Sequence, residues 1–265
     1  MIEVDENIVQ TAVTSDAIKA IRRFFKEEEE EQEESGKEPG TEIDEKSDNK
    51  TGEGKDTETS EELDIKTKEE VILEKGTQFT DAKTNAVYKV ITTGTNGTVE
   101  YVKNTKKNAK TVTIPATVTV GDATYKVTAV AAKALKGNKK VTKVVIGKNV
   151  KKIGNEAFHG CKKLKSLTLG KNVTTIGKKA FYKCTALTKV TIPSKVKKIG
   201  AYAFYGCKKL KNITIKSKYL TTKNVGKKAF SGIYKNVKVK VPTSKKKVYK
   251  KLLRKRGISS KTAIK

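Results

Sequence analysis

Apolar residues recur in this chain with a period of 23. One set is Ile153, Ala157, Phe158, Cys161, Leu164, Leu167 and Leu169; the next two sets follow at Ile176 through Ile192 and at Ile199 through Ile215. A weaker copy starts at Val130, and a later one at Val225-Gly226 is displaced by three residues. Two patterns share each unit. Leu-x-x-Leu-x-Leu ends in period-2 alternation, which predicts a short strand with two inward residues. Between them an outward position holds Val145, Thr168, Thr191 or Thr214. Ile-Gly-x-x-Ala-Phe-x-x-Cys places Ala, Phe and Cys on one side of a short helical turn. Its glycine suits either a positive φ or a close backbone approach. Self-similarity at this period predicts a solenoid, in which each unit buries its apolar face only against its neighbours.

The expected architecture is a β-rich leucine-rich-repeat solenoid with short helical turns. Strands at 112–114, 144–146, 167–169, 190–192, 213–215 and 237–239 should form one parallel ladder, with the phenylalanines stacked beneath it. The repeats occupy 131–242. Solenoid ends expose core and strand edge, so atypical capping segments are required there. Residues 71–130 form the β-rich N-terminal cap: Val87–Val90 and Val99–Val102 flank Asn96-Gly97, a hairpin signal, and Gly121-Asp122 marks a second hairpin. Val112-Thr113-Ile114-Pro115 copies Val190-Thr191-Ile192-Pro193 and supplies the first ladder strand. Residues 243–265 form a basic cap, with Ser244 opening a helix that carries Val248, Tyr249, Leu252 and Leu253, and with Gly257 ending it.

The combination of Leu-x-x-Leu-x-Leu with Ile-Gly-x-x-Ala-Phe-x-x-Cys resembles the BspA-type leucine-rich repeats of bacterial surface proteins. Val196 through Leu210 carries the resemblance most clearly, and it extends over roughly residues 105–242. The resemblance implies extracellular or cell-surface display and adhesion to host or partner macromolecules, and it brings no catalytic residues.

Charge divides the chain. Residues 1–75 hold 25 acidic and 11 basic side chains, a net of −14; residues 76–265 hold 4 acidic and 47 basic, a net of +43. Segment 1–70 is too poor in apolar residues to offset its ordering entropy, which predicts disorder. The exception is a capped amphipathic helix near 15–26, with Ile18, Ile21, Phe24 and Phe25 on one face. No apolar stretch reaches the length of a membrane span. Met1 through Glu6 shows neither a basic start nor an apolar run, so an export signal is not legible there. This leaves three alternatives open: a signal removed upstream, a misplaced start, or a cytoplasmic protein.

Catalytic groupings are not legible. His159 is the single histidine, and no phosphate loop, nucleophile elbow or zinc motif occurs, so no catalytic, metal or cofactor residue is assigned. Cys161, Cys184 and Cys207 share one repeat position. Ladder spacing does not forbid a bridge between neighbours, but parallel side chains and an odd number favour buried thiols. Attention moves to the surface. Lys148, Lys171, Lys195 and Lys218 follow the strands, and Lys162-Lys163 and Lys208-Lys209 precede them. With Thr168, Thr191 and Thr214 they make the candidate binding surface. Its expected partner is a protein or an acidic glycan, with non-specific polyanion contact as the alternative. The basic part has 45 lysines but only Arg254 and Arg256, which disfavours base-specific nucleic-acid recognition. His159, Tyr182 and Tyr205 share a position too, suited to sugar stacking or to covering the convex side.

Overall fold

The computed structural model describes residues 72–94 and 96–265. The acidic segment and the helix expected near 15–26 lie outside the described residues. Within them the strands follow in chain order as β1 (Gln78–Asp81), β2 (Ala86–Thr92), β3 (Thr98–Asn104), β4 (Thr111–Ile114), β5 (Thr117–Val120), β6 (Ala123–Val130) and β7 (Lys143–Ile146). Then come β8 (Lys152–Ile153), β9 (Ser166–Thr168), β10 (Thr175–Ile176), β11 (Lys189–Ile192), β12 (Lys198–Ile199), β13 (Asn212–Ile215) and β14 (Lys238–Lys240), followed by helix α1 (Lys246–Lys255).

Each central repeat contributes two strands, one to each of two parallel series. The long series is β4, β7, β9, β11, β13 and β14; the short series is β6, β8, β10 and β12. Alternation sets the long series: Val190 and Ile192 are buried while Lys189 and Thr191 are exposed. The short series pairs Ile153 with Ile176 and Ile176 with Ile199, in the 23-residue register.

The long series is not one ladder. It forms two three-stranded sheets, β4-β7-β9 and β11-β13-β14. Val190 does pair with Ile213, as the period requires, but β9 and β11 lie side by side without ladder pairing. Pro193 contributes to the break. At the equivalent position Gly147 N–H donates to Ile114 O and Lys216 N–H to Ile192 O, at 2.8 and 2.9 Å. Proline has no N–H to offer.

Opposite the long series, Ala-Phe-x-x-Cys forms one tight turn per unit. On the strand side the parallel strands exchange bonds in both directions, as where Ile199 N–H donates to Asn224 O at 2.9 Å and Gly226 N–H donates to Ile199 O at 2.8 Å. On the turn side an earlier unit donates to a later one: Phe158 N–H to Ala180 O and Phe181 N–H to Ala203 O, both at 2.8 Å. Two residues of each turn are left-handed. The first is never glycine (Lys133, Glu156, Lys179, Tyr202, Lys228); the second is glycine in every unit but one, where Lys183 stands at φ 53°. The glycine after the short strand answers to close approach instead. A Cβ on Gly154 would sit 2.5 Å from the Ala131 carbonyl carbon, and one on Gly177 2.6 Å from that of Gly154.

The core is a column. Phe158, Phe181, Phe204 and Phe230 stack with ring centroids 5.1, 5.2 and 5.5 Å apart and planes within 10°. At one end β1, β2 and β3 make an antiparallel cap, β3 runs parallel to β6, and Phe79, Tyr88, Tyr101 and Tyr125 fill the interior. At the other end α1 buries Tyr249, Leu252 and Leu253, whereas Val248, expected on the same face, is 57% exposed. Ser244 does not cap the helix: it lies in a 3-10 turn (Thr243–Lys245), and Lys245 precedes α1 without a side-chain cap bond. Lys245 has no short acceptor with which to hold the first N–H groups.

Candidate binding surface

The outward face of the long strands is polar apart from Val145. One row across it is Thr113, Val145 and Thr168, continued by Thr191, Thr214 and Lys240. Thr168 and Thr191 are exposed and Thr214 is half-buried. A shallow groove at the far end is lined by Thr214, Lys216, Lys240 and Pro242 among others.

The lysines are exposed, but their register differs from the one expected. Lys195 and Lys218 align with Asn149 and Asn172, one position beyond Lys148 and Lys171. The four therefore form no single row. Lys195 Nζ donates to Asn172 Oδ1 at 2.8 Å, while Asn149 Nδ2 donates to Ala116 O at 3.1 Å. Lys162-Lys163 and Lys208-Lys209 are likewise exposed, with Thr185-Ala186 standing between them in the stack.

Sequence reasoning missed a different order. Each long strand begins with two adjacent positions, and one lysine occupies one of them. The occupied position switches at every unit: Lys110, Lys143, Lys165, Lys189, Lys211, Lys238. The companion residues are Thr111, Thr142, Ser166, Thr188, Asn212 and the buried Val237. The pairings Lys143 with Ser166, Lys189 with Asn212 and Asn212 with Lys238 fix the register. Like charges directly opposite each other on neighbouring strands repel, and the stagger avoids this. Thr142 and Thr188 hydroxyls donate back to Lys110 O and Lys165 O, at 3.0 and 3.5 Å. The short series alternates as well, with Lys151-Lys152, Thr174-Thr175 and Lys197-Lys198. The signal was available in the sequence: Lys143 and Lys189, and Lys165 and Lys211, lie 46 residues apart, twice the apolar period of 23.

Other candidate groups serve the framework. His159, Tyr182 and Tyr205 stack face to face at 4.8 and 5.2 Å, so their faces are largely taken by one another. Lys179 and Lys183 lie over Tyr182 at 5.7 and 5.4 Å. The cysteines are free and buried. Each thiol donates to a carbonyl of the preceding unit: Cys161 to Leu135, Cys184 to Phe158 and Cys207 to Phe181, at 3.0, 3.1 and 3.2 Å. Burial pushes the Cys161 and Cys207 thiols up to about 12, and that of Cys184 well above its ordinary value. A thiolate nucleophile or metal ligand needs the opposite shift. Among the described residues no three His, Cys, Asp or Glu side chains gather as a metal group, and no helix is long and apolar enough to cross a membrane.

Both arginines of the basic part donate to backbone carbonyls. Arg256, the residue that follows α1, donates from Nε to Val225 O and from Nη2 to Thr222 O, both at 2.6 Å. Its carbonyl accepts from Phe230 N–H at 2.9 Å. It thus occupies the place of a further repeat, since Gly226 N–H makes the matching bond to Ile199 O one unit earlier. Arg254 donates to Ser260 O at 2.9 Å.

Stacked two-strand units, a phenylalanine column and buried cysteines define a leucine-rich-repeat solenoid. Residues 128–258 match the family model described as BspA type leucine rich repeat region, in six copies, and this part of the chain belongs to that family. The fold is similar to the crystal structure of the pneumococcal vaccine antigen PcpA, at 25% identity and a TM-score of 0.54 over 66% of this chain. The match spans 52% of that chain, about half its length. A leucine-rich repeat protein from Bacteroides capillosus is 25% identical, with a TM-score of 0.44 over 55% of this chain and 99% of that one. No curated protein matches the sequence. The repeat family is one of protein-binding modules.

Proposed function

We propose that the chain is a non-enzymatic binding module, displayed on the cell surface or secreted, that adheres to an acidic host or partner macromolecule. The contact is the outward face of the long strands. The observation that carries this is the division of labour within the repeat. Apolar and thiol groups are committed to the column, and the outward strand face is left, Val145 apart, to lysine, threonine, serine and asparagine. Among the described residues the exposed large apolar side chains are Ile72, Ile91, Tyr219 and Val248, which come from separate segments. That distribution supports a polar contact over an apolar one. Similarity to a chain described as a vaccine antigen supports surface exposure. The candidate lysines and threonines named from sequence flank or lie on this face.

A second reading, a non-specific polyanion or nucleic-acid binder, draws on the net charge of +43 over residues 76–265. The arginines weigh against base-specific readout, because both spend donors on backbone carbonyls.

Antibody labelling of intact cells and of culture medium tests display. Label at the surface or in the medium is expected, and detection only after lysis would remove the proposal. For the face itself, the full chain with Lys143→Ser, Lys189→Ser and Lys238→Ser together should adhere to acidic surfaces less well than the parent. Undiminished adhesion by that variant would place the contact elsewhere.

A further inference from the structure

The lysine stagger has a geometry that a partner can read. Successive units are about 5 Å apart, as the ring spacings of 5.1, 5.2 and 5.5 Å show. Along the solenoid axis the strand starts present one lysine per unit, displaced alternately to one side and the other of a line crossing them. Lysines on the same side recur every second unit, about 10 Å apart, a little beyond the Debye length of ~8 Å at physiological salt. Hydroxyl and amide groups of Thr111, Thr142, Ser166, Thr188 and Asn212 fill the alternate positions. The row of Thr113, Val145, Thr168, Thr191 and Thr214 runs beside them across the two sheets.

Resting on the adhesive face just proposed, we infer that its acidic partner is a linear polyuronic acid that lies along the solenoid axis. This polymer would carry one carboxylate on each sugar and turn successive rings over. A flat, two-fold polysaccharide ribbon has these properties. Its rings advance by a distance close to one unit of the solenoid, and turning alternate rings over throws successive carboxylates to opposite sides. Each carboxylate then meets one lysine of the zigzag, and ring hydroxyls meet the threonine, serine and asparagine groups between. Duplex DNA fits less well: it carries one charge per ~1.7 Å of axis, so a lysine every ~5 Å leaves most phosphates without a partner. Neutral glucans fit the hydroxyl row and leave the lysines unused.

The test separates the order of the lysines from their number. In the full chain, the paired change Thr188→Lys with Lys189→Thr keeps net charge and composition. It moves one lysine sideways and puts Lys165, position 188 and Lys211 in a straight line. Binding is measured to β-1,4-linked polymannuronate, to dextran sulfate and to duplex DNA at one salt concentration, with thermal unfolding as a check on the fold. The expected result is about fivefold weaker binding to polymannuronate alone, the effect of losing one or two exposed charge contacts. If the three polymers lose affinity equally, or none does, the stagger serves only to keep like charges apart and the inference is overturned. The adhesive face itself would still stand. Failure of the parent chain to bind polymannuronate also overturns the inference, whereas failure of the adhesive face is read separately, from unchanged cell adhesion by the triple serine variant.

Discussion

Inside the solenoid every unit repeats its neighbour; at the starts of the long strands, each unit repeats the next but one. Phe158, Phe181 and Phe204 meet identical partners at near-identical spacing, as do Cys161, Cys184 and Cys207. Lys165 and Lys211 are equivalent, but the unit between them carries Lys189 one position along. The contrast follows from the sign of the contact. Like apolar groups stacked in register gain from identity, since each ring covers the next. Like charges stacked in register repel, so the same translational repeat is unfavourable for them. A repeat protein built on one period can therefore carry a second, longer period on its solvent side at no cost to packing.

Breaking the inner register should have the largest effect. Phe181→Ala removes the middle of the column and should cost ~3–5 kcal/mol, as for other buried phenylalanines. An unchanged denaturation midpoint would show that the column is not the core. Next is the end of the column. Arg256→Ala leaves Val225 O and Thr222 O without their charged donor and should cost about 1.5–3 kcal/mol. Arg256→Lys should recover little of this, because an ammonium cannot hold both carbonyls in the fork geometry. Full recovery would mean that charge, rather than mimicry of a further repeat, is what the cap supplies.

Gly160→Ala tests whether the turns obey the same register. A Cβ there meets nothing closer than 3.9 Å, so only the left-handed backbone opposes it, at roughly 1 kcal/mol. Lys183→Gly should stabilise, by less than that, since it also removes the cation over Tyr182. Chemical unfolding of both variants decides the matter, and a gain from the first would contradict it.

The thiols give a pH prediction. Folded thiols at Cys161 and Cys207 keep their protons to about 12, while unfolded thiols ionise near ~8.5. The folded state then binds more protons above that value, so this contribution is whole below pH ~8.5 and declines as pH rises from there toward 12. Thiol reagents at pH 8 should label the three cysteines only on unfolding; fast labelling of native protein would disprove their burial. The smallest effect concerns the outside. With residues 1–75 at −14, removing residues 1–70 should raise affinity for heparin at low salt by a few fold, since exposed ion pairs contribute ~0–1 kcal/mol each. Equal retention of both chains on heparin at low salt would show that the acidic segment does not compete.

Much of the inner register was legible in the sequence, because apolar spacing states which residues share a face. The two hairpins of the N-terminal cap were legible from Asn96-Gly97 and Gly121-Asp122 for the same kind of reason. The break between β9 and β11 was not foreseen, although Pro193 was in view; the strand pattern around it is intact, and only the missing donor differs. Nothing in the side chains of Glu156, Lys179 or Tyr202 announces a left-handed backbone, which the stacked turns impose on them. Arg256 looked like one more cation on a basic helix, and its bonds to Val225 and Thr222 span more than thirty residues. The core residues are in register from unit to unit, and the strand-start lysines are not. The stagger appears only when neighbouring units are compared two at a time.

The one-way backbone bonds of the turn side have a consequence for how such a chain can lengthen. A cut between units leaves backbone donors on the turn of the earlier unit and backbone acceptors on that of the later one, and an inserted unit carries the complement of each. A duplicated segment of 23 residues therefore slots into the interior without leaving a mismatched joint. The lysines count differently. One inserted copy repeats a phase and sets two cations side by side, whereas two inserted copies restore the zigzag. Growth in pairs of units preserves both the column and the alternation of the strand-start lysines, which makes 46 residues the natural increment of that row.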